Sequence, residues 1–80
     1  MRIRVVIALK NGVLDPQGQV LKQGLHQLGF GEVEAVHVGK ALELELNEED
    51  ADIALSRAKH MCEKLLVNEA VEIASLEALP

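Results

Sequence analysis

The order of apolar and polar residues predicts six secondary-structure elements along this chain of 80 residues. Residues 2 to 10 alternate between apolar and polar, which is the two-residue period of a strand with one buried face. The inward positions of this first strand are Ile3, Val5, Ile7 and Leu9. The chain therefore opens with a strand that needs a layer packed against one face.

A first helix is predicted to begin at Pro16 and to end at Gly29. Asp15 can accept hydrogen bonds from the first turn, proline suits the first helical position, and glycine ends helices by adopting a positive φ. Two further glycines lie inside this helix: Gly18 leaves the first turn open to an approaching group, and Gly24 allows close packing on a sheet. The apolar stripe consists of Leu21, Leu25 and Leu28.

Residues 32 to 38 and 41 to 47 are predicted to form a hairpin, joined by Gly39-Lys40. Glycine at the first central position of a two-residue loop is the signal for a type II′ turn. The register that follows places Leu42, Leu44 and Leu46 on the core face.

Acidic residues follow the outer face of that hairpin, where Glu34 lies opposite Glu45. Like charges in this position are unfavourable unless a cation lies near. Arg2 and Arg4 on the first strand would supply it by pairing with Glu43 and Glu45. This interpretation places the first strand beside the third.

A second helix follows, with Asn47 or Asp50 as its first cap and Asn68 as its last. Its predicted apolar face consists of Ala54, Ala58, Met61, Cys62, Leu65 and Leu66. Residues 70 to 78 are predicted to form the last strand, with Val71 and Ile73 inward. The fold class is therefore α+β, a βαββαβ ferredoxin-like antiparallel sheet with two helices on one face, in a single domain of residues 1–80.

The face of the sheet opposite the helices would still carry apolar side chains. These are Val6, Ala8, Val36 and Val38. Isolated exposed aliphatics are ordinary on a protein surface, whereas a contiguous patch marks an interface. The patch predicts an oligomer interface.

Composition excludes several classes of function. The formal charge is −5 and Phe30 is the only aromatic residue, so the chain lacks the basic face and the stacking platforms of nucleic-acid binders. The first residues alternate between apolar and charged, so they predict neither a signal peptide nor a membrane helix, which would need about 20 consecutive apolar residues. The single cysteine, Cys62, suits a reducing compartment, and the expected location is cytoplasmic.

Candidate catalytic and metal-binding residues are few. Cys62 lies on the predicted core stripe, and His60, two positions away, points to another side of the helix. No pair of cysteines or histidines has metal-ligand spacing. The start of the first helix could hold an anion, with Lys10 and Lys40 adding charge, although Asp15 as a cap would repel one. We expect no catalytic residue and no metal site.

Three segments, in the same order along the chain, resemble the PurS family. They are the runs 9 to 18, 33 to 40 and 61 to 68, which read LKNGVLDPQG, VEAVHVGK and MCEKLLVN. PurS is the small subunit of phosphoribosylformylglycinamidine (FGAM) synthase in bacteria and archaea, and the resemblance spans nearly the whole chain.

The resemblance implies a subunit without catalytic activity of its own, in de novo purine biosynthesis. It would bridge the PurL synthetase and the PurQ glutaminase as a homodimer or tetramer, and assist ammonia transfer for the ATP-dependent conversion of formylglycinamide ribonucleotide to FGAM. ATP and magnesium would be used by the synthetase, and this chain would hold no cofactor. By position, the partner-interface candidates are Lys10, Asp15, Gln17, Gly39 and Lys40.

Two alternatives from other classes stay open. Ferredoxin-like domains also serve as dimeric regulatory modules that bind small ligands, and the segment 15 to 18 could line such a pocket. A hydrolase of the acylphosphatase type is less consistent, because Lys10-Asn11-Gly12 lacks the arginine expected in its phosphate loop.

Overall fold

The computed structural model describes residues Met1–Pro80 as a three-stranded antiparallel sheet with two helices. Its elements are β1 (Arg2–Leu9), α1 (Pro16–Gln27), β2 (Lys40–Glu45), α2 (Ala51–Met61), a π-helical turn (Cys62–Leu66) and β3 (Glu72–Leu79). The strand order is β2-β1-β3, so β1 is central and lies beside the strand that follows Lys40, as predicted. The α+β class is confirmed.

The core lies between β1 and α2. Alternate residues of β1 are buried, as the two-residue period predicts, and the small side chains of α2 let that helix approach the sheet closely. The six buried apolar residues are Ile3, Val5, Ile7, Ala54, Ala58 and Cys62. The predicted core leucines of β2 are half-buried and pack against this cluster: Leu42, Leu44 and Leu46.

The outer face of the sheet carries the predicted arginine–glutamate pairs, with one change of partner. Arg4 lies 3.3 Å from Glu43 and 3.4 Å from Glu77, and Arg2 lies 3.7 Å from Glu43. Glu45, also expected to pair, makes no ion pair. All these side chains are substantially exposed, so each pair contributes between zero and about 1 kcal/mol.

The second helix begins as predicted, because the Asp50 carboxylate accepts hydrogen bonds from the N–H groups of Asp52 and Ile53. Its last turn differs. From Cys62 the chain forms a π-helical turn, which has more residues per turn and therefore rotates later side chains. Leu65, predicted to be buried, is 84% exposed, whereas Leu66 packs against the core. Asn68 follows that turn and does not cap it; Val67 ends it.

The last strand begins at Glu72, and its predicted register is wrong. Ile7 lies opposite Ala74, and Ala8 lies opposite Ile73. Since Ile7 faces the core, Ala74 does too, and Ile73 lies on the outer face with 55% of its surface exposed. The inward residues of β3 are Ala74, Leu76 and Ala78.

The predicted hairpin is also wrong, because residues 33 to 39 form no strand. A type II′ turn requires a positive φ at its first central residue. Only Gly12 and Gly29 have positive φ, so Gly39 makes no such turn. In the βαββαβ order, the place of the predicted second strand is taken by a segment that is not part of the sheet, so the sheet has three strands and not four.

The segment from Val33 to Val38, called the return segment below, runs back along α1. The imidazole Nε2 of His26 lies 2.7 Å from the Val33 carbonyl oxygen, and the Val38 N–H donates to the Asp15 carboxylate at 2.8 Å. Positions 26 and 15 are about 16 Å apart along a helix, at about 1.5 Å per residue. Five residues cover that distance only when nearly extended, at about 3.3 Å each. The return segment is thus extended and antiparallel to α1.

The unit formed by residues 11 to 38, called the arm below, projects from the remaining structure, called the body. Its helix begins at Pro16 and is followed by Gly29 with φ 99°, both as predicted, but α1 makes no substantial contact with any strand or with α2. The molecule measures 48 × 28 × 14 Å with a radius of gyration of 16.0 Å, against about 12 Å for a compact chain of this length. The expectation of two helices on one sheet face is therefore wrong within one protomer, since only α2 covers it.

Candidate partner interface

A cleft of about 300 Å³ lies where the arm joins the body, between the end of β1 and the start of α1. It brings together four of the five partner-interface candidates: Asp15, Gln17, Gly39 and Lys40. They come from two segments more than 20 residues apart in sequence. The return segment places them side by side because it comes back to the start of α1.

The Asp15 carboxylate fastens this junction. One oxygen accepts from the Gly18 N–H at 2.8 Å, as an N-cap does, and the other accepts from the Val38 N–H at 2.8 Å. These two bonds, that from Val38 having the larger effect, hold the pKa of Asp15 below its ordinary value. Both oxygens of the Asp15 carboxylate thus accept hydrogen bonds from the protein itself. This favours a structural role, in which Asp15 holds the return segment to the start of α1, over an anion site at this position. The pair of hydrogen bonds is called the Asp15 clasp below.

Two glycines permit the close approach of backbones at the junction. A methyl group at Gly18 would collide with the carbonyl oxygen of Val36, so the predicted open first turn is confirmed and the approaching group is the return segment. A methyl group at Gly39 would lie 2.6 Å from the carbonyl oxygen of Ile7. By contrast, nothing lies within 4 Å of the corresponding position at Gly24, so its predicted packing on a sheet is wrong.

Glu72, at the start of β3, is a residue of this cleft that the sequence analysis missed. Its carboxylate accepts from the Asn68 N–H at 2.8 Å and lies 3.5 Å from the Lys40 ammonium. The Asn68 hydrogen bond first, and then the charge of Lys40, hold the pKa of Glu72 below its ordinary value. The pair spans 32 positions of sequence, and only the sheet order brings it together.

Lys10, the fifth partner-interface candidate, lines a neighbouring cleft of about 330 Å³ between α2 and β3. Its backbone N–H donates to the Val71 carbonyl oxygen at 2.8 Å. Cys62 lies in the floor, where burial and then the nearby Glu63 raise the pKa of its thiol. A thiol with a raised pKa is a poor nucleophile at neutral pH. Glu72 lines both clefts, so together they form one indented surface.

The oligomer-interface candidates lie on two different surfaces. Val6 and Ala8 are on the outer face of the sheet beside Ile73, whereas Val36 and Val38 belong to the return segment and not to the sheet. The arm carries more exposed apolar surface than the sequence indicated. Its large exposed residues are Leu14, Val20, Leu21, Leu28 and Phe30.

No group of three or more His, Cys, Asp or Glu side chains is placed to hold a metal ion. None of the helices has the length and apolar character needed to cross a bilayer. The fold and surfaces define a small α+β protein with an indented charged surface and an apolar arm, both suited to contact with other chains.

Comparison with known proteins agrees with this class. The family model described as "PurS: Phosphoribosylformylglycinamidine (FGAM) synthase" matches residues 2–79. The FGAM synthase subunit PurS of Bacillus subtilis is 41% identical over 71 residues, which cover 89% of this chain and 83% of that protein.

Solved structures give the same result. The crystal structure of Methanocaldococcus jannaschii PurS, a subunit of formylglycinamide ribonucleotide amidotransferase in the purine biosynthetic pathway, matches with a TM-score of 0.85 at 32% identity and covers 95% of this chain and 92% of that chain. A chain in the structure of PurLQS from Thermotoga maritima matches with a TM-score of 0.87 at 28% identity, covering 98% and 95%. This chain belongs to the PurS family, the PurS subunits of FGAM synthase in purine biosynthesis.

Proposed function

We propose that this chain bridges a PurL-type synthetase and a PurQ-type glutaminase and assists the transfer of ammonia between them. The observation that supports this is that the chain has two exposed surfaces. One is formed by the two clefts, which have Glu72 in common, and the other by the apolar side chains of the arm. Only six apolar residues of the chain are buried. The ammonia-transfer part is supported by membership of the PurS family. ATP and magnesium belong to the synthetase in this proposal, and the complex works in the cytoplasm.

The clefts are the surface we assign to the partner subunits. Lys10, Gln17 and Lys40 contribute side chains there, while Asp15 and Gly39 shape the junction from which those side chains project. The Lys40 ammonium lies at the surface, and its pairing with Glu72 across 3.5 Å is loose enough to be exchanged for a partner carboxylate. Replacing both lysines therefore removes two of the three lysines that line the clefts, the third being Lys59, without opening the core.

The test is light scattering on a sizing column, with the chain alone and then mixed with PurL and PurQ, glutamine and ADP. We expect one larger complex, and a roughly tenfold or greater loss of affinity for the double variant Lys10→Ala, Lys40→Ala, because charge pairs at an interface govern both encounter and specificity. The matched control is Arg57→Ala, Lys64→Ala, which makes the same charge change outside both clefts.

Two results would contradict the proposal. If both double variants bound PurL and PurQ with equal affinity, the clefts would not be the partner surface. Failure of the wild-type chain to join either protein, together with a higher melting temperature when glutamine or ADP is added to it alone, would favour a regulatory small-ligand module instead.

We also propose that the chain works as a homodimer or a tetramer. The support is exposed apolar surface in both regions: in the arm, Leu28 at the C-cap of α1 is 75% exposed, and in the body, Val6 on the outer sheet face is 43% exposed. Monomers rarely leave contiguous apolar patches of this kind in water.

A further inference from the structure

The strand β3 has a free edge along its whole length, called the β3 edge below. The strand lies at one end of the order β2-β1-β3 and pairs with β1 alone, over eight consecutive residue pairs without a bulge. Edge strands are commonly short, bulged or interrupted by lysine or proline, because their unpaired backbone groups attract other strands. None of these four features is present between Glu72 and Leu79. The β3 edge is therefore open to a further strand.

Two hydrogen bonds show which backbone groups face the β3 edge. The Lys10 N–H donates to the Val71 carbonyl oxygen at 2.8 Å, so position 71, just before β3, faces β1. The Glu72 N–H donates instead to the Asn68 carbonyl oxygen at 2.7 Å, so position 72 faces away from β1. In an antiparallel pair the N–H and C=O groups of every second residue point the same way. The backbone groups that point to the β3 edge therefore include those of Ala74, Leu76 and Ala78.

The cleft between α2 and β3 lies on the helix-facing side of this edge. Ala74 and Leu76 line it, together with Cys62 and Val67 on the opposite wall, and its volume is about 330 Å³. A residue directly opposite Ala74 or Leu76 on an added strand would point its side chain to the same face of the sheet. The cleft thus provides room for alternate apolar side chains of an added strand.

The charges around the cleft favour a segment of a different protein over a second copy of β3. Four charged side chains line the cleft and make no ion pair within the chain: Lys10, Lys59, Glu63 and Glu69. The only charged residues of β3 itself are Glu72 and Glu77, so a second β3 would leave Glu63 and Glu69 without a cation. A strand that carries both a basic and an acidic residue complements both signs.

We propose that an extended segment of a partner subunit adds to the β3 edge as a fourth strand. Its main chain pairs with the three edge-facing residues, its alternate apolar side chains fill the cleft, and one basic and one acidic side chain pair with the charges at the rim. In such strand addition the main-chain hydrogen bonds give affinity and the pockets give specificity. The proposal rests on the proposed function and deepens it, because it states how the cleft between α2 and β3 holds a partner.

Hydrogen exchange tests the strand addition residue by residue. The isotope-labelled chain is exchanged alone, with PurL and with PurQ, then quenched in acid and measured by NMR. In the chain alone, the amides of Ala74, Leu76 and Ala78 should exchange rapidly, whereas those of Ser75 and Glu77, which face β1, should be protected. The subunit that supplies the strand should slow exchange of the first three amides roughly tenfold or more and leave the other two protected.

A proline at the β3 edge tests the same contact by affinity. Ala74→Pro removes an N–H that points to the edge and breaks no hydrogen bond to β1, so an edge strand tolerates it. The matched control Ala74→Ser keeps that N–H. We expect a roughly tenfold or greater loss of affinity for that subunit in Ala74→Pro and little loss in Ala74→Ser, because an added strand would lose a hydrogen bond and meet the proline ring. If Ala74→Pro fails to fold by circular dichroism, Ala78→Pro and Ala78→Ser make the same comparison nearer the end of the strand.

Three outcomes overturn the proposal. If the chain joins PurL and PurQ without added protection of the three edge amides, the partners bind elsewhere and the proposed function still stands. If those amides are protected in the chain alone, increasingly so with its concentration, a second copy occupies the β3 edge. If the chain joins neither protein, the strand addition and the proposed function both fail, so the two failures are distinguishable.

Discussion

The body and the arm are built from similar aliphatic residues, yet they use them in opposite ways. Six of the seven buried residues lie in the body, where β1 alternates against the small side chains of α2. The single buried residue of the arm is Gly18, which has no side chain to bury. The body is therefore stabilised by the hydrophobic effect and the arm chiefly by polar contacts to its own backbone. A segment with few apolar contacts opens more readily than the core, so its shape depends on what it contacts.

The largest expected difference between the two regions comes from removing apolar side chains. Ile3→Ala should lower the free energy of unfolding by about 2–5 kcal/mol, because Ile3 is fully buried and its loss leaves a cavity. Leu28→Ala, at the exposed C-cap of α1, should change it by less than about 0.5 kcal/mol at concentrations where the protein is monomeric. Urea unfolding followed by circular dichroism measures both.

Equal losses for these two variants would contradict the division into a packed body and an unpacked arm. If Leu28→Ala lowers the free energy of unfolding only at high protein concentration, the division is supported and refined. A dependence on concentration would place the Leu28 side chain in an interface between copies.

The second comparison uses two glycines of α1. Gly18→Ala should push the return segment away, because its methyl group meets the backbone of Val36, and overpacking of this kind costs about 1–3 kcal/mol. The Val38 amide should then exchange with solvent roughly tenfold faster or more. Gly24→Ala has open space around its methyl group and should stabilise the helix by about 1 kcal/mol.

Hydrogen exchange measured by NMR separates these two effects. Protection of the Val38 amide that is unchanged in Gly18→Ala would mean that the return segment does not lie on α1 in solution. The body amides of β1 serve as the internal control, and they should keep their protection in both variants.

A third prediction concerns acid. The pKa of Asp15 is lowered in the folded arm because the folded arm stabilises the ionised carboxylate. The contribution of Asp15 to the stability of the arm is therefore fully present above the ordinary aspartate pKa, and it is lost as the pH falls through the lowered value. Protection of the Val38 amide should therefore decline below about pH 4. Asp15→Asn keeps one accepting oxygen but cannot serve both Gly18 and Val38, so this variant should lack that protection at neutral pH.

The titration is followed by NMR between neutral pH and pH 2, with the same spectra reporting on the body. If Val38 protection in Asp15→Asn equalled that of the wild type at neutral pH, the clasp would have no role in holding the arm.

The smallest expected effect lies on the outer face of the body. Arg4→Gln removes two exposed ion pairs, with Glu43 and Glu77, and should lower the free energy of unfolding by no more than about 1 kcal/mol. The difference from wild type should shrink in high salt, because exposed charges are screened. Urea unfolding at two ionic strengths tests it, and a loss above about 2 kcal/mol would mean that Arg4 has a packing role as well.

The contrast between the regions also explains which predictions failed. Ile3, Val5 and Ile7 followed from periodicity because a half-buried strand needs only one neighbouring layer. Periodicity did not predict which residues of β3 face the core. Ala74 and Ala78 are only weakly apolar, and they become core residues because α2 approaches the sheet closely. Glu72 in the cleft was missed for a related reason, since its partners Lys40 and Asn68 meet it only through the sheet order.

The sequence by itself determined the class, the helix starts at Pro16 and after Asp50, the place of β1 beside β2 and the family. These depend on local caps, on two-residue and helical periods, and on motifs in a fixed order. Only the tertiary structure decided whether Gly39-Lys40 closes a hairpin, where Leu65 points and which residues share a cleft. The reason is physical: a turn preference is worth little against several long-range contacts, so the clasp at Asp15 and the approach at Gly18 override it.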